Sequence, residues 1–148
     1  FMIITFEKTR EDAIAPAHKH YDDAGYDMYI PEKFNNGLGK MLIAKGSTVR
    51  IPLGIKFVIP QNYMGLMMPR SSTSLKGLVS QIPPVDSGYR NEVSCILHNN
   101  SNTDQWVNGG DRVCQFVFVP IATPQLVESK DFDKVPKRGK GGFGSTGK

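Results

Sequence analysis

Val49-Arg50-Ile51-Pro52-Leu53-Gly54-Ile55-Lys56-Phe57-Val58 decides the fold class. Val49, Ile51, Leu53, Ile55 and Phe57 fall on every second position, with Arg50, Pro52, Gly54 and Lys56 between them. Side chains alternate between two faces only when the chain is extended, so this stretch reads as a strand with one face buried. An amphipathic helix would need apolar steps of three and four residues, and no stretch of the chain sustains that spacing.

Outward from this run, the same logic predicts a strand over residues 2–10 and a short one around Tyr29, stopped by Pro31. Asn35-Asn36-Gly37 and Lys45-Gly46 are turn signals. Further strands are expected over Tyr63–Met68, Val93–Leu97, Gln105–Val107 and Val113–Val119, with a last one at Gln125–Glu128. Asn108-Gly109-Gly110-Asp111 is a tight turn. One or two helical turns are expected around Ser72–Lys76. The 15 glycines and 10 prolines among 148 residues suit many short strands joined by turns. The expected fold is all-β, about ten strands in a sandwich or jelly roll. Residues 1–136 form the β domain, and 137–148 form a Gly-rich C-terminal arm.

The chain is long enough for one domain with a real core. Its net charge of +4 suits an anionic ligand but is too small and too scattered to argue for direct nucleic-acid binding. No apolar run has the length of a membrane span. The first residues lack the basic start and apolar core of a signal peptide. Cys95 and Cys114 lie in strand-like runs and are expected to be free and buried. The expected compartment is the cytoplasm, or the host-cell cytoplasm or nucleus for a viral chain.

Several stretches carry candidate chemistry. In Pro83-Pro84-Val85-Asp86-Ser87-Gly88-Tyr89-Arg90, two prolines stiffen the approach and Ser87-Gly88 turns the chain. Asp86 and Tyr89 at the mouth of a tight hairpin either hold a water and a ring against a small ligand, or merely organise the turn. In Pro69-Arg70-Ser71-Ser72, Arg70 offers a planar fork suited to phosphate and the serines add hydroxyls; the alternative is a loop that caps a short helix. Gln115 is an amide on an otherwise apolar strand and needs a partner, either backbone or ligand. Asp27, between Tyr26 and Met28, is either exposed by alternation or held for a purpose. His18 and His20 lack a third metal ligand nearby and read as surface residues. The tail from Gly142 to Lys148 has P-loop spacing, but neither the following Ser or Thr nor the helix that a P-loop needs. Arg138, Ser145 and Thr146 could still clamp an anion there, and Phe143 could stack on a flat ring.

Taken in order, five stretches resemble the five motifs of the trimeric dUTPases. They are Ala24-Gly25-Tyr26-Asp27-Met28-Tyr29, Pro69-Arg70-Ser71-Ser72, Val85-Asp86-Ser87-Gly88-Tyr89-Arg90, Gly110-Asp111-Arg112-Val113-Cys114-Gln115, and Arg138-Gly139 with Gly142-Phe143-Gly144-Ser145-Thr146-Gly147. The resemblance implies a jelly-roll homotrimer with active sites between subunits. It implies hydrolysis of dUTP to dUMP and pyrophosphate with Mg²⁺, which keeps uracil out of DNA and supplies dUMP for thymidylate synthesis. Asp86 would be the general base and Tyr89 would pack under the deoxyribose. The backbone at Pro84 and Val85 would read the uracil edge. Arg70, Ser71, Ser72 and Gln115 would hold phosphate oxygens, and Arg138, Ser145 and Thr146 the γ-phosphate. Phe143, with Gly144, would cover the base, and Asp27 would reach Mg²⁺ through water. Pro83 stands where the family commonly has glycine, as does Asn91.

Two alternatives share the fold. A dCTP deaminase needs a glutamate about ten residues after the third-motif aspartate, and Ile96 stands there. A nucleotide-dependent binding protein that controls a regulatory partner would keep the motifs and lack turnover.

Overall fold

The computed structural model describes residues 2–81, 83–134 and 147. The decisive run is two strands. Thr48–Pro52 is β4 and Ile55–Val58 is β5, with Leu53-Gly54 as a corner between them. Alternation continues through the corner, so Ile51, Leu53, Ile55 and Phe57 are all buried although the two strands join different sheets. Gly54 supplies the corner with φ of 72°, and a Cβ there would lie 2.7 Å from the Ala13 Cβ.

Before the corner lie β1 (Thr5–Lys8), β2 (Tyr26–Tyr29) and β3 (Lys40–Ile43). After it come β6 (Tyr63–Pro69), helix α1 (Ser71–Leu75), β7 (Leu78–Ser80) and β8 (Pro84–Val85). The series ends with β9 (Ser94–Asn99), β10 (Gln105–Asn108), β11 (Arg112–Pro120) and a 3-10 turn, Phe132–Lys134. Four antiparallel sheets result: β2-β11-β6-β8, β4-β9-β7, β1-β5 and β10-β3. This is the expected all-β, jelly-roll-like architecture.

Besides the single strand expected over Val49–Val58, which is two, two local expectations fail. Gln125–Glu128 is not a strand among the described residues; Leu126 and Val127 are exposed, and β-propensity without a ladder partner does not make a strand. Pro83–Arg90 is not a hairpin onto the next strand. β8 pairs with β6, Leu66 opposite Pro84, while β9 pairs with β4 and β7. The stretch therefore crosses from one sheet to another. The expected boundary after residue 136 lies outside the described residues.

Inner faces of the two larger sheets meet in one core. Met28, Met67 and Phe116 come from one, and Ile51, Leu78 and Leu97 from the other. Phe57 stacks on Phe116 with ring centroids 4.7 Å apart. Cys95 and Cys114 are free and buried as expected. A hydrogen bond with Cys95, together with burial, pushes the Cys114 thiol up, so it stays protonated and behaves as a small core residue. No helix among the described residues is long and apolar enough to cross a membrane.

Two polar clamps hold the loops. Arg10 pairs with Asp12, and the Arg10 guanidinium, aided by the Lys33 amide, holds the Asp12 carboxyl below the usual carboxylate range. Asn99 is fully buried at the end of β9. Its Nδ2 donates to the carbonyls of Ile43 (2.9 Å) and Thr103 (2.8 Å), and its Oδ1 accepts from the Ser101 amide (3.0 Å) and hydroxyl (2.7 Å). Each buried group orphaned by truncation costs about 1–3 kcal/mol. Asn99→Ala is therefore expected to lower stability by roughly 2–4 kcal/mol in urea unfolding at fixed protein concentration. A loss under about 0.5 kcal/mol would mean water replaces the amide.

Candidate active site

Two clefts take in Arg70, Ser72, Pro84, Val85, Asp86 and Tyr89 of the predicted residues, and they share no lining residue. The first has a volume of about 330 Å³ and is lined by Pro83, Pro84, Val85, Asp86 and Tyr89 with Met67, Arg50 and Glu92. The turn closes through the Tyr89 amide, which donates to the Asp86 carbonyl at 3.0 Å. Asp86 is exposed and half-buried Val85 packs toward the core. The Tyr89 hydroxyl donates to the Glu92 carbonyl at 3.0 Å, which leaves the ring 39% exposed at the cleft wall. Arg90 folds back onto the carbonyls of Ser87 and Tyr89. A carboxylate that faces water and an aromatic wall beside it can hold a water on one side and a small ring on the other.

The second cluster is cationic and lies between β2, β6 and β11. Arg70 Nε is 3.4 Å from one oxygen of Asp27, and Arg112 Nη1 is 3.3 Å from the other. Arg70 also donates from Nη1 to the Arg112 carbonyl at 3.0 Å. A register shift between Arg112 and Cys114 sets this up. Such a bulge re-aims side chains: Arg112 stays outward, Val113 and Cys114 both turn inward, and Gln115 comes opposite Asp27. Gln115 Nε2 donates to the Pro69 carbonyl at 3.2 Å. Gly25 permits the close approach, because a Cβ there would sit 3.0 Å from Gln115 Oε1 and 2.9 Å from Val117 Cγ2.

Ser71 and Ser72 occupy the first turn of α1, both exposed, and no side chain caps that helix. The neighbouring cleft, about 500 Å³, is lined by Arg70, Ser72, Lys76 and Arg112 with Asp111 and Trp106. Arg70, Lys76 and Arg112 against Asp111 and the Asp27 that pairs with both arginines leave a net positive cleft, a place for an anion. His18 is no part of either cleft; its ring stacks on Tyr26 at 4.6 Å. Arg138, Phe143, Gly144, Ser145 and Thr146 lie outside the described residues.

Arg112 and Glu92 had no assigned role in the sequence reading. Their signal was absent locally, since Arg112 meets Asp27 across 85 positions of sequence and only through the β2–β11 register. No group of three or more His, Cys, Asp or Glu residues that could hold a metal occurs among the described residues. A guanidinium lies near each oxygen of Asp27, which is therefore held by two ion pairs.

The chain is similar to known proteins of one family. A family profile described as dUTPase matches residues 11–147. A deoxyuridine 5'-triphosphate nucleotidohydrolase of Clostridium tetani is 35% identical over 142 residues, covering 94% of this chain and 92% of the relative. Among solved structures, the dUTPase of Staphylococcus bacteriophage 80alpha with dUPNHPP superposes with a TM-score of 0.83 at 25% identity, covering 98% of both chains. That phage protein is described as controlling transfer of virulence genes by a proto-oncogenic G protein-like mechanism. A variant dUTPase from phage phi11 of S. aureus, with a coordinated structural Mg(II) ion, has a TM-score of 0.78 at 25% identity, covering 89% of this chain and 99% of its own.

Proposed function

The chain belongs to the dUTPase family, and from that membership we propose that it hydrolyses dUTP to dUMP and pyrophosphate on a site assembled from both clefts. The observation that carries the reading is the Asp86–Tyr89 cleft. It holds a solvent-facing carboxylate and an aromatic wall on a turn tied at both ends.

Asp86 accepts a proton from a water as its oxygen attacks the α-phosphorus; the bond to the bridging oxygen breaks and pyrophosphate leaves. Tyr89 packs under the deoxyribose, so a 2′-hydroxyl would clash with the ring. Backbone groups near Pro84 and Val85 read the base edge. Arg70, Ser71, Ser72 and Gln115 hold phosphate oxygens, a task for preorganised donors where charge develops. Once an anion arrives, Arg70 and Arg112 have a choice between it and Asp27. Arg138, Ser145 and Thr146 hold the γ-phosphate, and Phe143 with Gly144 covers the uracil as the arm 137–148 closes and excludes water.

Mg²⁺ is the cofactor on this reading. Asp27 would hold it through water, and the ion would supply neutralisation of charge on the phosphate oxygens. The proposed assembly is a homotrimer with sites between subunits, in which a triphosphate would meet Asp86 of one chain and Arg70 of another. The proposed compartment is the cytoplasm. Ile96, an apolar residue on β9, cannot shuttle the proton a deaminase requires.

Turnover decides between the enzyme and a nucleotide-controlled regulatory protein. With Mg²⁺ and each of dUTP, dCTP, dTTP and UTP in turn, pyrophosphate is expected from dUTP at least about a hundredfold faster than from the others. Binding of dUTP with no pyrophosphate would overturn hydrolysis and leave the regulatory reading.

A further inference from the structure

We infer that Thr9 and Glu92 are positioning residues for Tyr89, and that this relay sets how strictly the site rejects a ribonucleotide. The inference rests on the sugar-wall role given to Tyr89 above.

An exposed aromatic ring is a poor wall unless something fixes it. Tyr89 is fixed at two points: its amide on the Asp86 carbonyl, and its hydroxyl on the Glu92 carbonyl at 3.0 Å. The second point is as firm as the Glu92–Val93 peptide. That peptide's N–H, from Val93, donates to the Ile55 carbonyl at 2.8 Å, and the Val93 carbonyl accepts from Leu53 at 3.0 Å. Val93 is therefore rigid and buried, but the chain before it, Arg90 to Glu92, is not in a strand. Glu92 is held on its C-terminal side by that peptide and a second time through its side chain, which accepts from the Thr9 hydroxyl at 2.8 Å. Thr9 in turn donates its amide to the Gly54 carbonyl at 2.8 Å. Thr9, Glu92 and Val93 thus all hang from the same Leu53-Gly54-Ile55 corner, whose geometry only glycine at position 54 accommodates. Thr9 itself does not line the cleft, so it can act on a nucleotide only through Glu92 and Tyr89.

The test compares Thr9→Val, which keeps shape and removes the donor, with Thr9→Ser, which keeps the donor. The readouts are the ratio of kcat/KM for dUTP over UTP, and hydrogen exchange of the Tyr89 amide in the free protein. Thr9→Val is expected to lower the ratio about tenfold with kcat on dUTP within about twofold of wild type. Exchange at Tyr89 is expected to rise about tenfold. Thr9→Ser restores both. Tyr89→Phe cuts the relay, so Thr9→Val added to Tyr89→Phe is expected to change the ratio no further. Wild-type discrimination and exchange in Thr9→Val, or losses that multiply in the double variant, would overturn the relay. If wild type releases no pyrophosphate from dUTP, the proposed function fails instead, and the exchange comparison still decides the relay.

Discussion

Asp86→Asn is expected to bind dUTP within about threefold of wild type and to hydrolyse it roughly 10²–10⁴ times more slowly, the usual worth of a general base. In barrier terms that is about 3–5 kcal/mol. The amide keeps the size of the carboxylate and can still accept a hydrogen bond from a water, but it cannot take the water's proton. Asp86 is exposed, and among the described residues its side chain makes no hydrogen bond or ion pair, the turn being closed by its own carbonyl. The substitution should therefore leave the fold alone, and unchanged urea unfolding serves as the control. Single-turnover pyrophosphate release measures chemistry, and calorimetry with a non-hydrolysable analogue measures binding. Turnover within a few-fold of wild type would remove Asp86 from the base role and return it to that of a turn residue.

That dual reading of Asp86 illustrates what a sequence carries. The fold class was legible because alternation is local: Ile51, Leu53, Ile55 and Phe57 declare a buried face without any knowledge of partners. The corner at Leu53-Gly54 was not, because both strands keep the same buried parity through it. Gln125–Glu128 misled for the complementary reason, since its residues suit a strand and a strand still needs a ladder. The motif order was legible as well, each motif being a few consecutive residues. What joins motifs was hidden. Asp27 lies between Arg70 and Arg112 only through the pairing of β2, β11 and β6, and the bulge at Val113 sets which side chains face out. The apparent hairpin at Pro83–Arg90 failed likewise, because two prolines and a Ser-Gly turn specify a reversal but not which sheet receives the chain.

The largest recovery is expected from mixing two inactive variants. Asp86 lies in one cleft, and Arg70 lines the other with no lining residue in common. Yet one α-phosphate has to meet both the water that Asp86 activates and the donors that hold the triphosphate. In the proposed homotrimer these come from different chains. Arg70→Ala should lose about a hundredfold or more in kcat/KM, since it removes a charge-assisted fork from the phosphates. Alone, each variant is nearly inactive. Unfolded together in equal amounts and refolded, the chains assort at random. A site works when its Asp86 comes from an Arg70→Ala chain and its Arg70 from an Asp86→Asn chain. Each choice has odds of one half, so about one quarter of wild-type activity returns. Were both residues supplied by one chain, no mixed assembly could hold an intact site, and activity would stay at the level of the two variants. Mixing the folded variants without unfolding is the control and should restore nothing until subunits exchange. Sedimentation of the refolded mixture as a trimer, together with the quarter recovery, would establish the shared site; a trimer with no recovery would place Asp86 and Arg70 of one chain in the same site.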